Sequence, residues 1–317
     1  MTSADQAIRI MLEKNFNLRK HEKVLIVTDE NKKDIGELFL EVASKLADAE
    51  LIEIPVGNMH GQEPPEDVAK KMLEYNVILI ATSQSYSHTL ARKNATEKGI
   101  RIASMPGITI EMIERAIDIN YKKMKDIETK LKEIITNGHN AIVRTEKGTM
   151  LTFSIKDRNA FGGKSGQFQK PGSWANMPTG EVFIAPMEDT ADGVYIVDGS
   201  MSGVGKLKQP IKIIIEKGHA VKISGGIEAE KLKMLLDKCG KEAYQLAEFG
   251  IGTNSGARIS GNVLEDEKVI GTCHFALGSN FSFGGDIKVN CHLDGIIKSP
   301  TILVDNKKIM ERGKFLI

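Results

Sequence analysis

Short apolar runs alternate with helical periodicity in the first third of the chain, and this alternation restricts the fold more than any other feature. Residues 23–28 and 77–82 each contain a continuous apolar run of strand length, which is typical of strands covered on both faces. Residues 34–46 place apolar side chains three and four positions apart, as an amphipathic helix does. Because such units build a parallel sheet with right-handed crossovers, the sequence predicts an N-terminal Rossmann-like α/β domain.

The loops of this chain do not have the pattern of a nucleotide site. Residues 28–33, which follow the first predicted strand, contain no glycine where a phosphate must approach the backbone, so a dinucleotide site is not expected there. Lys164 lies in a glycine-rich stretch that resembles a truncated phosphate loop. That stretch lacks the spacing and the strand-to-helix setting of a phosphate loop, and we interpret it as a flexible loop.

A change of pattern near residue 138 predicts a second domain. Residues 108–136 have a long helical pattern that stops at Asn137-Gly138, and we interpret it as the connecting helix. The domains are then residues 1–138 and 139–317. The second half consists of short strands separated by glycines, which favours a mixed or antiparallel α+β domain. One further helix is predicted at residues 229–247, with Glu248 at its C-terminal end.

Charge and hydropathy restrict the partners and the compartment. The chain has 43 Lys and Arg against 42 Asp and Glu, a net charge of +1, whereas nucleic-acid or membrane-surface binding needs a basic excess. We therefore expect neither kind of partner. The N-terminal residues mix charges into apolar positions unlike a signal peptide, and no run approaches the roughly 20 apolar residues of a membrane span. These features predict a cytoplasmic protein.

The cysteine content restricts the kind of metal site. Cys239, Cys273 and Cys291 are too few and too scattered for a disulfide framework or a zinc site of paired cysteines. Any metal must therefore be held by carboxylates and imidazoles, and the second half offers both. His292 and Asp294 are two residues apart at the end of an apolar strand, so their side chains project from the same face.

Three further side chains of the second half are candidates. His274 lies in an apolar strand flanked by glycines, where a histidine is either a hydrogen-bonded core residue or a metal ligand. Glu181 opens a predicted strand, at a junction where a scaffold often presents a functional group. Glu248, at a helix C-terminus, would be disfavoured by the helix dipole unless a cation lay nearby. The alternative for both glutamates is an ordinary solvent-exposed side chain with no function.

Four segments in the second half carry a specific resemblance, at residues 176–186, 246–254, 264–278 and 292–295. They closely resemble the metallo-aminopeptidases of peptidase family M29, aminopeptidases T and S, and also the related iron-dependent 2,5-dihydroxypyridine dioxygenases. The resemblance covers most of residues 140–317 and extends more loosely into the first half.

In the peptidases, paired metals are held by two glutamates, two histidines, an aspartate and a tyrosine. The resemblance implies that the metal ligands here are Glu181, Glu248, His274, His292 and Asp294. The position of the tyrosine is taken by Phe281, whose ring cannot bind a metal, so this chain departs from the peptidase pattern.

On this resemblance we expect a metallo-aminopeptidase, a hydrolase that removes N-terminal residues from peptides through a metal-activated water. Glu181 or Glu248 would act as the catalytic base, with one or two ions of Zn, Co or Mn. The resemblance also implies a homodimer or a larger homo-oligomer. His88 and Arg92, beyond the third strand, lie at the sheet edge where ligands commonly bind, and are weaker candidates for contact with a small peptide or small-molecule substrate.

Two alternatives remain open. His274, His292 and Asp294 form a two-histidine, one-carboxylate set that suits Fe(II) and oxygen chemistry, as in a ring-cleaving dioxygenase. The other alternative is a non-catalytic binding protein that keeps the fold with a degenerate site.

Overall fold

The computed structural model describes residues 2–163 and 166–317, and the chain divides into two compact units. The first unit comprises residues up to 120 together with 166–179, and the second comprises residues 121–165 and 180–317. The boundary between the two units thus falls at residue 120, inside the helical pattern of residues 108–136 and earlier than the predicted boundary at residue 138. Lys164 and Ser165 lie outside the described residues, so the interpretation of that segment as a flexible loop stays a prediction.

The helices and strands are numbered in chain order. The α-helices of the described residues are α1 (Ser3–Ile10), α2 (Lys33–Ser44), α3 (Glu66–Lys71), α4 (Leu90–Glu97), α5 (Ile110–Met112), α6 (Tyr121–Asn137), α7 (Gly226–Cys239) and α8 (Val263–Asp266). The strands are β1 (Lys23–Asp29), β2 (Asp48–Ile54), β3 (Val77–Ala81), β4 (Arg101–Ser104), β5 (Asn140–Arg144), β6 (Met150–Ser154), β7 (Phe161–Gly162), β8 (Trp174–Asn176), β9 (Glu181–Ile184), β10 (Asp192–Val197), β11 (Ser200–Met201), β12 (Gly205–Lys206), β13 (Ile211–Glu216), β14 (His219–Ser224), β15 (Leu246–Gly252), β16 (Thr272–Gly278), β17 (His292–Lys298), β18 (Thr301–Val304), β19 (Lys307–Glu311) and β20 (Lys314–Phe315). Among the described residues, no helix has both the length and the apolar side chains that crossing a lipid bilayer requires.

The first unit is built on a parallel sheet, as the alternating pattern predicts. Its five strands lie in the order β2-β1-β3-β4-β8, and every neighbouring pair is parallel. All five residues of β3 are buried, which explains why this strand is apolar without interruption. The last strand, β8, comes from the segment 166–179 and pairs with β4, so that segment belongs to the first unit.

The second unit contains two antiparallel sheets over one hydrophobic core. The larger sheet has the order β14-β13-β10-β6-β5-β18-β19-β20, and the other has the order β12-β11-β17-β16-β15-β9-β7. Side chains from both sheets, including Tyr195, Phe249 and Phe275, belong to the same buried cluster. This arrangement confirms the predicted fold class, a parallel α/β part and a mainly antiparallel, glycine-rich α+β part.

The long helix predicted at residues 108–136 is two separate pieces. The helical turns of α5 continue as a π-helical segment, Ile113–Ile117, and Asp118 leaves helical geometry with a ψ of 80°. Helix α6 begins only at Tyr121. Its buried residues Leu131 and Ile135 pack in the core of the second unit, which is why α6 belongs to that unit.

The predicted helix at residues 229–247 is also shorter, and this changes the setting of Glu248. Helix α7 ends at Cys239, because Gly240 adopts a φ of +92° that a helix cannot continue. A short 3-10 segment, Lys241–Tyr244, leads into β15. Glu248 therefore lies within a fully buried strand, and the prediction that it ends a helix is wrong. The alternation of Phe249 and Ile251 toward the core has the period of a strand.

Candidate metal centre

Four neighbouring strands of the seven-stranded sheet bring the candidate ligands to one face. Glu181 on β9 pairs with Gly252 on β15, and Gly250 on β15 pairs with His274 on β16. Ala276 on β16 pairs with Asp294 on β17. Because paired residues share a face and side chains alternate along a strand, one face carries all five predicted ligands, Glu181, Glu248, His274, His292 and Asp294.

The opposite face of the same strands is apolar and fixed in the core. Phe249 and Phe275 stack with ring centroids 5.3 Å apart, and Phe153 of the other sheet meets both rings edge-on. Cys273 is fully buried in this core, on the face opposite the candidate ligands. The ligand strands therefore have little freedom to move, as a pre-organised site requires.

A glycine makes room for the first histidine. A Cβ atom added to Gly250 would lie 2.0 Å from His274 Nε2 and 2.2 Å from its Cε1. The Nε2 edge of the His274 imidazole therefore lies directly against the bare backbone of β15. Only glycine allows this approach, which explains its position between Phe249 and Ile251 in an otherwise apolar strand.

Glu248 lies between the two histidines. Its Oε1 is 3.2 Å from His274 Nε2, and its Oε2 is 3.2 Å from His292 Nε2. His292 Nε2 is also 3.4 Å from Asp294 Oδ1. The other ring nitrogen of His292, Nδ1, is 2.8 Å from the carbonyl of Ser279 and donates to it, so Nε2 is free to face the carboxylates.

The electrostatics of this group are those of a cation site. Burial lowers the pKa of His274, but the carboxylates of Glu248 and Glu181 outweigh that effect and raise it to about 9. Burial raises the pKa of Asp294, but the neighbouring imidazoles of His292 and His274 hold it below its usual range. Buried acids and bases of this kind stabilise positive charge, either protons on the imidazoles or a metal that replaces them.

The donor atoms fit a single divalent ion. Two ligands of one ion, with bonds of about 2.1 Å each, can lie no more than about 4.2 Å apart. The separations of 3.2 and 3.4 Å among Glu248, His292 and Asp294 satisfy this limit. Asp294 Oδ1 is buried and has no hydrogen-bond partner within residues 2–163 and 166–317, and a metal would satisfy it.

A second group of donors lies beside the first, but a lysine is already bound there. Ligand atoms of Glu181, Glu267 and His274 lie within 4.8 Å of one another. The Nζ atom of Lys268 is 2.6 Å from Glu181 Oε1 and donates a second, short hydrogen bond to Glu267. Burial would lower the pKa of Lys268, but these two carboxylates raise it, so the side chain is a buried cation.

The loop before β16 holds Lys268 in place. Two buried carboxylates accept backbone hydrogen bonds, Glu265 from Arg258 N at 2.8 Å and Asp266 from Ser260 N at 2.7 Å and Gly261 N at 2.9 Å. The carbonyl of Lys268 accepts a further bond from the backbone. Because buried backbone groups must be paired, this loop has one defined path and delivers the lysine to Glu181.

Three phenylalanines form an aromatic cluster beside the metal ligands, made of Phe161, Phe183 and Phe283. Phe183 pairs with Gly250 and so shares the face of His274. The Phe283 ring stands edge-on to His292 with centroids 5.7 Å apart, and it meets Phe183 in the same way at 5.5 Å. The cluster places apolar rings next to the ionic groups. Phe281, at the position of the peptidase tyrosine, is 59% exposed.

Sequence reasoning missed Lys268, Glu267 and the aromatic cluster. Lys268 lies in the acidic stretch 264–268, whose composition is typical of a solvent-exposed turn. None of its neighbours in the sequence indicates that it is buried. The phenylalanines are spread over more than 120 residues, so only the pairing of β7 with β9 and the turn at Phe281–Phe283 bring them together.

The two weaker candidates, His88 and Arg92, lie in the first unit. The guanidinium of Arg92 stacks over the ring of Trp174 at 3.9 Å, and its Nε donates to the Ser87 carbonyl. His88 meets Trp174 edge-on at 6.2 Å. Both side chains thus pack on one tryptophan, and their contact with substrate stays a prediction.

Comparisons of the sequence with known proteins give two kinds of relative. The family model NicX, described as 2,5-dihydroxypyridine 5,6-dioxygenase, matches residues 6–317. The 2,5-dihydroxypyridine 5,6-dioxygenase of Pseudomonas putida is 30% identical over 166 residues, which is 47% of this chain and 46% of that protein. Aminopeptidase AmpS of Bacillus subtilis is 26% identical over 165 residues, 50% of this chain and 40% of that protein. The chain thus aligns with less than half the length of these curated relatives.

Two solved structures share the whole fold. The 2,5-dihydroxypyridine dioxygenase of Pseudomonas putida superposes with a TM-score of 0.81 at 19% identity, covering 100% of this chain and 98% of its own. AmpT of Thermus thermophilus superposes with a TM-score of 0.73 at 17% identity, covering 99% of both chains. The fold is therefore common to both of these proteins, and it does not indicate which activity this chain has. That distinction must come from the residues of the site.

Proposed function

Because the chain belongs to the 2,5-dihydroxypyridine 5,6-dioxygenase family, we propose that it is a non-haem Fe(II) enzyme that cleaves a hydroxylated aromatic ring with molecular oxygen. The observation that carries the proposal is the contact of the aromatic cluster with a ligand histidine, Phe283 against His292. A planar ring resting on these phenylalanines would lie next to the ion that His292 holds.

The residues that would hold the iron are His292 and Asp294, which lie 3.4 Å apart, together with His274, whose Nε2 contacts the same Glu248 carboxylate as His292 Nε2. Two imidazoles and one carboxylate with open positions are the usual donors of Fe(II) in oxygenases. When bound there, Fe(II) supplies the one-electron steps that allow molecular oxygen to react with an electron-rich ring. Ser202 supports this set, because its hydroxyl accepts a hydrogen bond from the backbone N–H of Asp294 at 3.0 Å.

Glu248 is the residue that would take a proton from the substrate. Burial raises its pKa, but hydrogen bonds to His274 and His292 more than offset this and leave the pKa below its usual value. Glu248 is therefore ionised at neutral pH and lies beside the ring nitrogens that face the centre. A carboxylate in this position can accept the proton of a ring hydroxyl when the substrate binds.

Removal and return of the metal test the activity directly. Protein stripped with a chelator is expected to be inactive, and Fe(II) added without oxygen present should restore activity on 2,5-dihydroxypyridine once oxygen is admitted. The measurement is equimolar loss of the ring absorbance and of dissolved oxygen. Ring cleavage that proceeds equally well in the stripped protein, or no oxygen consumption in folded protein loaded with iron, would contradict the proposal.

The aromatic cluster gives a second prediction. Phe283→Leu removes a ring but keeps an apolar side chain, so KM for the ring substrate is expected to rise up to about tenfold with kcat changed less than about threefold, as aromatic pairs contribute roughly 0.5–1.5 kcal/mol. Steady-state kinetics measure this change. Phe315→Leu, in β20 of the other sheet, is the matched control and should leave both constants unchanged.

Peptide hydrolysis, the first interpretation of the sequence, is the second candidate. The similarity to AmpS favours it. Release of the aniline from aminoacyl-anilides with Co(II) or Zn(II) is the readout. Turnover of these substrates without oxygen would favour the hydrolase, and its absence with every divalent metal would exclude it.

A further inference from the structure

We infer that the ammonium group of Lys268 occupies the place of a second metal ion, so that the centre of this chain takes a single divalent cation. The inference rests on the metal centre of the proposed function but not on its ring substrate. Lys268, which is not itself a metal ligand, would then determine how many metal ions the chain binds.

The first support is the geometry around Nζ. Glu181, Glu267 and His274 present ligand atoms within 4.8 Å of one another, as a metal site would. Lys268 Nζ lies 2.6 Å from Glu181 Oε1 and also donates to Glu267, so it engages two of the three donors. An ammonium group has three N–H donors and no acceptor, which makes it a hydrogen-bonding substitute for a cation between carboxylates.

The second support is that the lysine and a metal ion exclude each other. Both carry positive charge, and they would compete for the same two carboxylates a few ångströms apart in a buried region, where like charges repel strongly. Lys268 is only 2% exposed, so its ammonium group cannot turn into solvent while the loop keeps its path.

The third support is the backbone of the loop. The N–H of Lys268 donates to the Glu265 carbonyl at 2.9 Å, and its own carbonyl accepts from Asn254 N at 2.8 Å. These bonds, with the buried carboxylates of Glu265 and Asp266, fix the Cα of Lys268 next to Glu181. A second ion would therefore have to break the loop as well as displace the side chain.

Metal stoichiometry tests the inference without any assay of activity. Metal-free protein is dialysed against excess Co(II) or Zn(II), and the number of metal ions bound per chain is measured by elemental mass spectrometry. The wild-type protein is expected to saturate at one ion per chain. Lys268→Leu removes the charge and frees the position of Nζ, and this variant is expected to bind two ions.

Lys147→Leu is the matched control, because Lys147 pairs with a buried carboxylate elsewhere in the second unit, Asp198 at 2.8 Å. It should stay at one ion per chain. Two ions in the wild-type protein would overturn the inference, and so would a folded Lys268→Leu protein that saturates at one.

A second variant decides the matter if Lys268→Leu does not fold. Glu181→Gln keeps an oxygen that accepts from Lys268 but removes the charge that a metal would need. If Lys268 holds Glu181, this variant should keep one ion per chain with an affinity within about threefold of the wild type. Loss of the ion would make Glu181 a ligand and overturn the inference. A protein that binds one Co(II) per chain but fails to cleave the ring when it is loaded with Fe(II) leaves this inference intact and contradicts only the proposed function.

Discussion

His292→Ala is expected to weaken metal binding by more than about 100-fold while leaving the protein folded, because even residues that only orient a ligand contribute about 10–100-fold to metal affinity. Its Nε2 faces both Glu248 at 3.2 Å and Asp294 at 3.4 Å. Without the imidazole, the ion loses a neutral donor from the centre of the set. Titration of metal-free protein with Co(II), followed by its visible absorption, measures the affinity.

The control for this variant is His219→Ala. His219 is exposed on β14 in the same unit and lies outside the ligand set, so its loss should change neither affinity nor stoichiometry. Because the His292 side chain is 31% exposed, its truncation is expected to cost little stability, and thermal unfolding verifies this. Unchanged metal content in His292→Ala would contradict the assignment of His292 as a ligand.

Most of the fold could be predicted from local patterns. The buried strands β1 and β3 have uninterrupted apolar runs because a parallel sheet is covered on both faces, and those runs gave correct strands within one or two residues. The errors occurred where apolar residues keep a helical spacing in the sequence beyond the point at which the helix ends. Asp118 interrupts the helix predicted at residues 108–136, and Gly240 ends α7 before the strand that contains Glu248. At Gly240 the break is a local one, since glycine readily adopts the positive φ that ends a helix.

The ligand positions could be predicted less completely. The sequence correctly indicated that His292 and Asp294 share a face, because that follows from the period of a strand. The approach of Glu181 and Glu248 to His274 depends on the order of β9, β15 and β16, which no local pattern contains. The ligand roles of these residues, and assembly into a homodimer, stay predictions.

Burial of Lys268 could not have been predicted from its neighbours. Lysine is almost never fully buried unless it is paired, and its partners here include Glu181, which is 87 positions away in the chain. Glu267 is adjacent, but an acidic neighbour is equally common at a solvated turn. The loop hydrogen bonds of Glu265 and Asp266 are what turn this stretch inward. The residue that we expect to set the number of metal ions is thus fixed by contacts that form only in the folded unit.

Gly250→Ala is expected to remove the metal and to lower the free energy of unfolding by about 1–3 kcal/mol, the usual cost of overpacking a buried position. The three atoms nearest to the added Cβ all belong to His274, the closest at 2.0 Å. The imidazole must therefore leave its place on the sheet, and the ion loses that ligand. Denaturant unfolding and metal content measure the two effects on the same preparation.

A double variant separates the clash with His274 from any other effect of the alanine. In a His274→Ala background the ring is absent, so adding Gly250→Ala should change the free energy of unfolding by less than about 0.5 kcal/mol, the usual size for a substitution that causes no clash. The coupling between the two sites then equals nearly the whole cost of Gly250→Ala alone. A cost that persists without the imidazole would mean that the backbone of β15, and not the position of His274, requires glycine. Metal loss in Gly250→Ala combined with strong coupling would establish that this glycine acts through the ligand that packs on it.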